Sequence, residues 1–189
     1  MKIDYYTPFY SNQYYHIYNR GNNGERIFYS PQNYNYFLNL YDKYLSASVE
    51  TYAYCLLSNH FHILLKIIDS STISNQLRIF FLSYSKAINK QENRTGSLFQ
   101  KRFKRTLIES TESLQRVVLY IHSNPLRHKI RKSFTNYKHS SYKSLISYKP
   151  TKLKRDELLE WFNRKDNFIV FHNKKNIDLK SDNFIIEDT

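Results

Sequence analysis

Between positions 60 and 67 the chain alternates with a period of two. Phe61, Ile63, Leu65 and Ile67 fall on one side, and His60, His62 and Lys66 fall on the other. Successive side chains of a strand point to opposite faces, so one face here is continuously apolar and belongs under helices. The other face brings two imidazoles together, about 7 Å apart at roughly 3.4 Å per residue. A strand of this kind needs a sheet covered by helices on one side, and its histidine face is expected to be open.

The neighbouring segments supply that sheet. Tyr14 to Arg20 reads as a first strand, ended by the turn cluster Gly21-Asn22-Asn23-Gly24. Ser30-Pro31 offers an N-cap and a proline at the first helical position, and Tyr34, Phe37, Leu38, Tyr41 and Leu45 follow at helical spacing. Thr51 to Leu57 is strand-like, Ser58-Asn59 makes a turn, and His60 to Ile68 returns as the hairpin partner. Ser70-Ser71-Thr72 caps a second helix with Ile73, Leu77, Phe80, Phe81, Tyr84 and Ile88 on one face. Phe103 to Ile108 reads as a fourth strand. Ser110 opens a third helix with a stripe of Leu114, Val117, Val118 and Ile121, and Pro125 is expected to close it. Strand, helix, strand, strand, helix, strand predicts an α+β fold: a ferredoxin-like split β-α-β sandwich with a four-stranded antiparallel sheet. The domain is expected over residues 10–130. Residues 131–189 form a small C-terminal extension, with a short helix at Asp156 to Phe162, a small strand at Phe168 to Phe171, and a polar tail from Lys174 to Thr189 expected to fray.

Composition narrows the partners. Lys and Arg total 29 against 16 acids, a net charge of +13, and such a surface favours a polyanion through counterion release. Aromatics at 17% add faces on which bases can stack. A single cysteine, Cys55, excludes an internal disulfide framework and a Cys-rich zinc site. No stretch is long and apolar enough for a membrane span, and Met1 to Tyr5 lacks the apolar run of a secretion signal, so a cytoplasmic protein is expected.

Two neutral imidazoles at the His60–His62 spacing can converge on one divalent ion, although two ligands do not complete a site. Lys66 shares their face and could add phosphate affinity. On the third helix, Tyr120 sits about 110° from the core stripe and Asn124 about 70°, at roughly 100° per residue, so these i,i+4 neighbours can look toward one site. A flank position, neither buried nor outward, is expected for Tyr120. A phenol is a poor nucleophile at neutral pH until a metal polarises the phosphate it attacks. No Gly-rich phosphate loop of the Walker type occurs in the chain.

Tyr54-Cys55-Leu56-Leu57-Ser58-Asn59-His60-Phe61-His62-Ile63-Leu64-Leu65 resembles the histidine-hydrophobic-histidine strand of the HUH superfamily, and Tyr120-Ile121-His122-Ser123-Asn124-Pro125 resembles its catalytic helix. The likeness is to single-tyrosine transposases, the REP-associated tyrosine transposases among them. His16 to Asn22 and Ser97 to Phe103 are similar to the same family's first strand and the loop before its last strand. The resemblance covers about residues 14 to 145. It implies Mg²⁺ or Mn²⁺, a hairpin-bearing single-stranded DNA substrate and a transient 5′-phosphotyrosine. His60 and His62 would be metal ligands and Tyr120 the nucleophile. Asn124 would stand at the third-ligand position, where related enzymes often carry Gln or Glu. Related enzymes work as monomers or homodimers.

Arg20, Lys101, Arg102, Lys104 and Arg105 cluster around the Gly96 loop and the fourth strand as candidate DNA contacts. His16 faces the side of His60 if Ile17 is buried, and is read as a surface histidine. His122 lies on the far flank of its helix and is left outside the site. Cys55, among apolar residues, is read as buried. The alternative function is a non-catalytic single-stranded nucleic-acid-binding module of RNA-recognition-like fold, which gives no reason for the histidine pair. A relative processing chromosomal repeats, and a metal phosphodiesterase using water, are further readings; the latter needs carboxylate ligands that have no place here.

Overall fold

The computed structural model describes residues 8–178 apart from Lys101. Four strands, β1 (Tyr14–Arg20), β2 (Val49–Leu57), β3 (His60–Ile67) and β4 (Lys104–Ile108), pair antiparallel in the order β2-β3-β1-β4. This is the split β-α-β order read from the sequence. β1 and β3 are central, with Ile17 opposite Ile63 and Tyr18 opposite His62. The Ser58-Asn59 turn joins β2 to β3, placing Leu57 opposite His60.

Two helices, α1 (Pro31–Leu45) and α2 (Ile73–Gln91), cover one face. Ser30 and Asn33 form a capping box at the start of α1, with Pro31 at the first helical position. The sheet's apolar side meets them: Phe61, Ile63 and Leu65 pack with Phe37, Phe80 and Tyr84 in one buried cluster. Each fully buried phenylalanine contributes about 2–3 kcal/mol.

The histidine face, expected to be open, is covered. Four helices, α3 (Thr111–Arg127), α4 (Tyr142–Ile146), α5 (Arg155–Glu160) and α6 (Lys165–Asp178), follow β4. The reason lies in β2. Its register puts Cys55 opposite His62 and Ala53 opposite Leu64, so the side shared with the histidines carries its own apolar patch. Ala53, Cys55, Leu57 and Leu64 join Val118 and Ile121 of α3 and Phe168 of α6 in a second core. Cys55 is buried there, and burial pushes its thiol well up from the usual range.

Two local expectations are corrected. Pro125 does not close α3, which runs on to Arg127. Proline removes one N–H within the last turn only, and the carbonyls of Asn124 and Pro125 are taken by the amides of His128 and Ile130 at 3.0 and 2.9 Å. Lys129 then turns the chain out at φ 55°, the left-handed conformation common after a helix. Phe168 to Phe171 is not a strand but part of α6. Phe168 and His172, four apart, are both buried while Val170 is exposed, so a helical period of burial overrides the β-propensity of the run. The short helix expected at Asp156 to Phe162 is α5. Of the tail expected to fray, Lys174 to Asp178 continues α6, and the rest lies outside the described residues.

Candidate active site

β3 delivers His60 and His62 to one face, as alternation requires, but neither is exposed: 6% and 1% of their surfaces are accessible. α3 lies over them. Tyr120, Asn124 and His128 form an i, i+4, i+8 stripe along that helix. At one end the Tyr120 ring meets the His62 ring edge-on, centroids 5.3 Å apart. At the other, the His128 ring meets that of His60 at 4.5 Å. Asn124 lies one helical turn from each of these contacts, and the two strand histidines' own rings are 5.3 Å apart. Strand and helix, far apart in the sequence, are brought back to one place.

Tyr120 is 2% accessible and Asn124 not at all, which corrects the flank position expected for Tyr120. The Tyr120 stripe faces the sheet, while His122 on the same helix meets Tyr142, Phe168 and His172 of the C-terminal helices. Asn124 donates through Nδ2 to the Tyr120 carbonyl at 2.9 Å. That bond fixes which end of the amide is oxygen, and the Asn124 Oδ1 is buried with no hydrogen-bond partner among the described residues.

His16, read as a surface histidine, is fully buried. Its Nε2 lies 3.1 Å from His62 Nδ1, its ring stacks on Tyr18 at 4.9 Å, and Tyr120 meets it edge-on at 5.9 Å. His60 Nδ1 lies 2.7 Å from Asn59 Oδ1. Arg127 and His128 join this cluster without being expected there. The Arg127 guanidinium sits over the Tyr120 ring, 5.3 Å from its centroid. Their spacing of seven and eight residues from Tyr120 was the available signal, masked by the expectation that the helix stopped at Pro125.

The candidate basic residues divide by face. Arg20 lies opposite His60 on β1. Lys66 lies opposite Tyr14 with its ammonium over that ring at 5.4 Å, and Lys104 opposite Tyr18 with its ammonium 5.8 Å from the ring centroid. All three are on the histidine side. Arg105 points to the opposite face, where its guanidinium packs on Phe9 at 4.4 Å. Arg102 is exposed ahead of β4, and Lys101 lies outside the described residues. His122 belongs to a separate cluster with His172 and Ser141.

Among the described residues no three His, Cys, Asp or Glu side chains are grouped so as to hold a metal ion. A third protein donor to the strand histidines would then come from another residue type. Asn124 Oδ1 could serve: it is a buried acceptor, oriented by the hydrogen bond from its own Nδ2 to Tyr120 O and without a donor among the described residues. Two imidazoles and an amide oxygen would offer a divalent cation three neutral donors.

A four-stranded α+β sheet with two strand histidines under a tyrosine-bearing helix defines a class of protein. The family described as transposase IS200 like matches residues 9–124. The chain belongs to the IS200-like transposases, a family of DNA-processing enzymes. Among solved structures it is similar to that of a REP-associated tyrosine transposase bound to a REP hairpin, with 17% identity, a TM-score of 0.64, and coverage of 77% of this chain and 86% of that one. This likeness extends to the fold. No curated protein matches the chain. No helix among the described residues is long and apolar enough to cross a membrane.

Proposed function

We propose that this protein cuts and rejoins single-stranded DNA, with Tyr120 as the nucleophile and His60, His62 and Asn124 as the ligands of a divalent metal, Mg²⁺ or Mn²⁺. The observation that carries this reading is the seating of the α3 stripe: Tyr120 on His62 and His128 on His60, with Asn124 between. Family membership supplies the DNA-processing class.

The Tyr120 phenol gives up its proton as its oxygen attacks phosphorus, forming a new P–O bond as the bond to the 3′ oxygen breaks, and one proton is released for each one the departing oxygen takes up. The 3′ oxygen departs as a hydroxyl after taking a proton, and the 5′ end stays on the tyrosine. Attack by another 3′-hydroxyl reverses the exchange, so the phosphodiester energy is kept and no nucleotide cofactor is consumed. A bound divalent cation supplies Lewis acidity that draws charge from the phosphodiester. The protein's own part is placement. Tyr120 is held by helix packing against His16 and His62, and the buried setting excludes water that would hydrolyse the phosphotyrosine. Because Tyr120 is almost wholly buried, DNA entry requires the side chains over it to move.

Arg20, Lys66 and Lys104 on the histidine side, with Arg102 and Lys101 ahead of β4, would track the phosphates toward the site. The REP hairpin bound by the structurally similar transposase supports a hairpin-bearing substrate. The test is direct. With Mn²⁺ and a single-stranded hairpin oligonucleotide, the protein should form an SDS-resistant adduct that is absent in Tyr120→Phe and suppressed by chelation. An adduct of undiminished yield in that variant removes Tyr120 from the mechanism, and binding with no cleavage under any metal leaves a binding module.

A further inference from the structure

Asn59 is the second residue of the β2–β3 turn and immediately precedes His60. An asparagine in a turn commonly serves a left-handed backbone, as Asn12, Asn23, Asn93 and Asn163 do here with φ between 51° and 62°. Asn59 is not among the positive-φ residues, so its backbone does not call for this side chain. Its amide is engaged at both ends. Nδ2 donates to the Gly24 carbonyl at 3.1 Å, and Oδ1 lies 2.7 Å from His60 Nδ1.

The first contact decides the second. A carbonyl can only accept, so the end of the Asn59 amide at Gly24 must be the NH₂ group, and the end at His60 must be the oxygen. An amide oxygen cannot donate, so His60 Nδ1 carries the hydrogen. In the neutral ring the lone pair then belongs to Nε2. A backbone carbonyl in a turn thus sets, through one amide, which nitrogen of His60 can ligate.

The carbonyl is itself held in place. Gly24 has φ +72° and donates its own amide to Gly21 O at 3.0 Å. At Gly21 any Cβ would lie 1.9 Å from Glu25 O, so the turn closes this tightly only with glycine. The turn also grips the hairpin through backbone: Gly21 N–H donates to Asn59 O at 2.7 Å, and the amides of Ile27 and Phe28 donate to Ser58 O at 2.8 and 3.0 Å. The segment after β1 therefore fixes both the main chain and the side chain of Asn59.

We propose that Asn59 is a positioning residue for the metal site, locking His60 as the Nδ1–H tautomer so that Nε2 faces the ion. This rests on the reading of His60 as a ligand. A hydrogen-bonded partner on the far nitrogen of a metal-binding histidine orients the ring and raises its basicity, and its loss costs about 10–100-fold in affinity.

The test uses the full chain without DNA. Mn²⁺ affinity, measured by electron paramagnetic resonance, should fall about 10–100-fold in Asn59→Leu and stay within about threefold of wild type in Asn59→Asp, whose carboxylate still accepts from Nδ1. Metal-free wild-type protein with ¹⁵N-labelled histidine should show His60 as the Nδ1–H form, and Asn59→Leu should show a mixture. Wild-type Mn²⁺ affinity in a folded Asn59→Leu protein, or an Nε2–H signature for His60 in the wild type, overturns the proposal; the second measurement stands even if the leucine variant does not fold. His60→Ala serves as the control on the underlying reading. If that variant binds Mn²⁺ as tightly as wild type, His60 is no ligand, whatever Asn59 does.

Discussion

Two clusters of buried histidines lie on the same side of this sheet, and they are built differently. One is His122 with His172, and its hydrogen bonds run in a single determined direction. Phe168 O accepts from His172 Nδ1 at 2.9 Å, so His172 Nε2 is an acceptor and takes the His122 Nδ1 hydrogen at 3.0 Å. His122 Nε2 then accepts from Ser141 Oγ at 2.8 Å, and Ser141 Oγ in turn accepts from Tyr54 N–H at 2.9 Å. The chain begins on one backbone group and ends on another. Burial holds His172 down to about 4, and His122 well below its usual value. The other cluster is His60, His62 and His16, set against a phenol, an arginine and a buried amide oxygen with no described donor. Burial alone does not mark a histidine as a ligand. What separates the two is that the first is tied by hydrogen bonds from one backbone group to another, whereas the second stands beside a buried amide oxygen, Asn124 Oδ1, with no donor among the described residues.

That contrast can be broken by substitution. His62→Ala should reduce adduct formation on hairpin DNA at least about a hundredfold, a loss comparable to removing a main source of transition-state charge stabilisation, with a modest change in melting temperature. His172→Ala should do the opposite: adduct formation per folded molecule is retained, while stability falls by about 3 kcal/mol because His122 loses its acceptor in a packed interior. Urea unfolding and single-turnover adduct assays on both variants check the crossover. If His172→Ala abolishes adduct formation in a folded protein, the two clusters are one functional unit.

Acid should sharpen the comparison. Above about pH 6.5 His172 is neutral both folded and unfolded, and its packing contributes in full. As the pH falls from 6.5 toward about 4, the unfolded chain takes up a proton that the folded one refuses. Stability then declines, on the order of 3 kcal/mol for this group. The loss between pH 6.5 and 4 should be smaller in His172→Phe, as followed by thermal melting.

Metal should act on the other cluster alone. At a Mn²⁺ concentration 100 times its dissociation constant the folded state gains about 2.7 kcal/mol, which raises the melting temperature by roughly 5–10 °C for a chain of this size. The gain should vanish in His62→Ala and persist in His172→Ala. The smallest effect concerns the surrounding charges. Lys66→Ala and Lys104→Ala should each lower the salt dependence of DNA binding by about one unit of slope. Arg105→Ala, on the opposite face, should leave it unchanged. Equal effects from all three would mean that DNA wraps both faces.

Much of this molecule was legible from its pattern. The alternation of His60 to Ile67 fixed the faces of β3, and turn and cap residues marked the ends of the first two helices and the hairpin. The i,i+4 pairing of Tyr120 and Asn124 placed them on a common side. The misreadings share a cause. The histidine face was judged open from β3 alone, although Ala53, Cys55 and Leu57 of β2 made that face apolar as well. Pro125 carries a helix-stopping signal, although its missing N–H falls in the last turn and α3 runs on to Arg127. Phe168 to Phe171 was read by propensity, although its burial follows a helical period.

The sequence by itself determined the order of the elements and which residues share a side, because strand and helix periodicities are local properties of the backbone. Only the tertiary structure decided which stripe of α3 meets which histidine, that His16 lies within the site, and that a glycine turn after β1 braces the asparagine beside His60. Those relations join residues tens of positions apart, and they arise from the packing of whole faces, which no local spacing encodes.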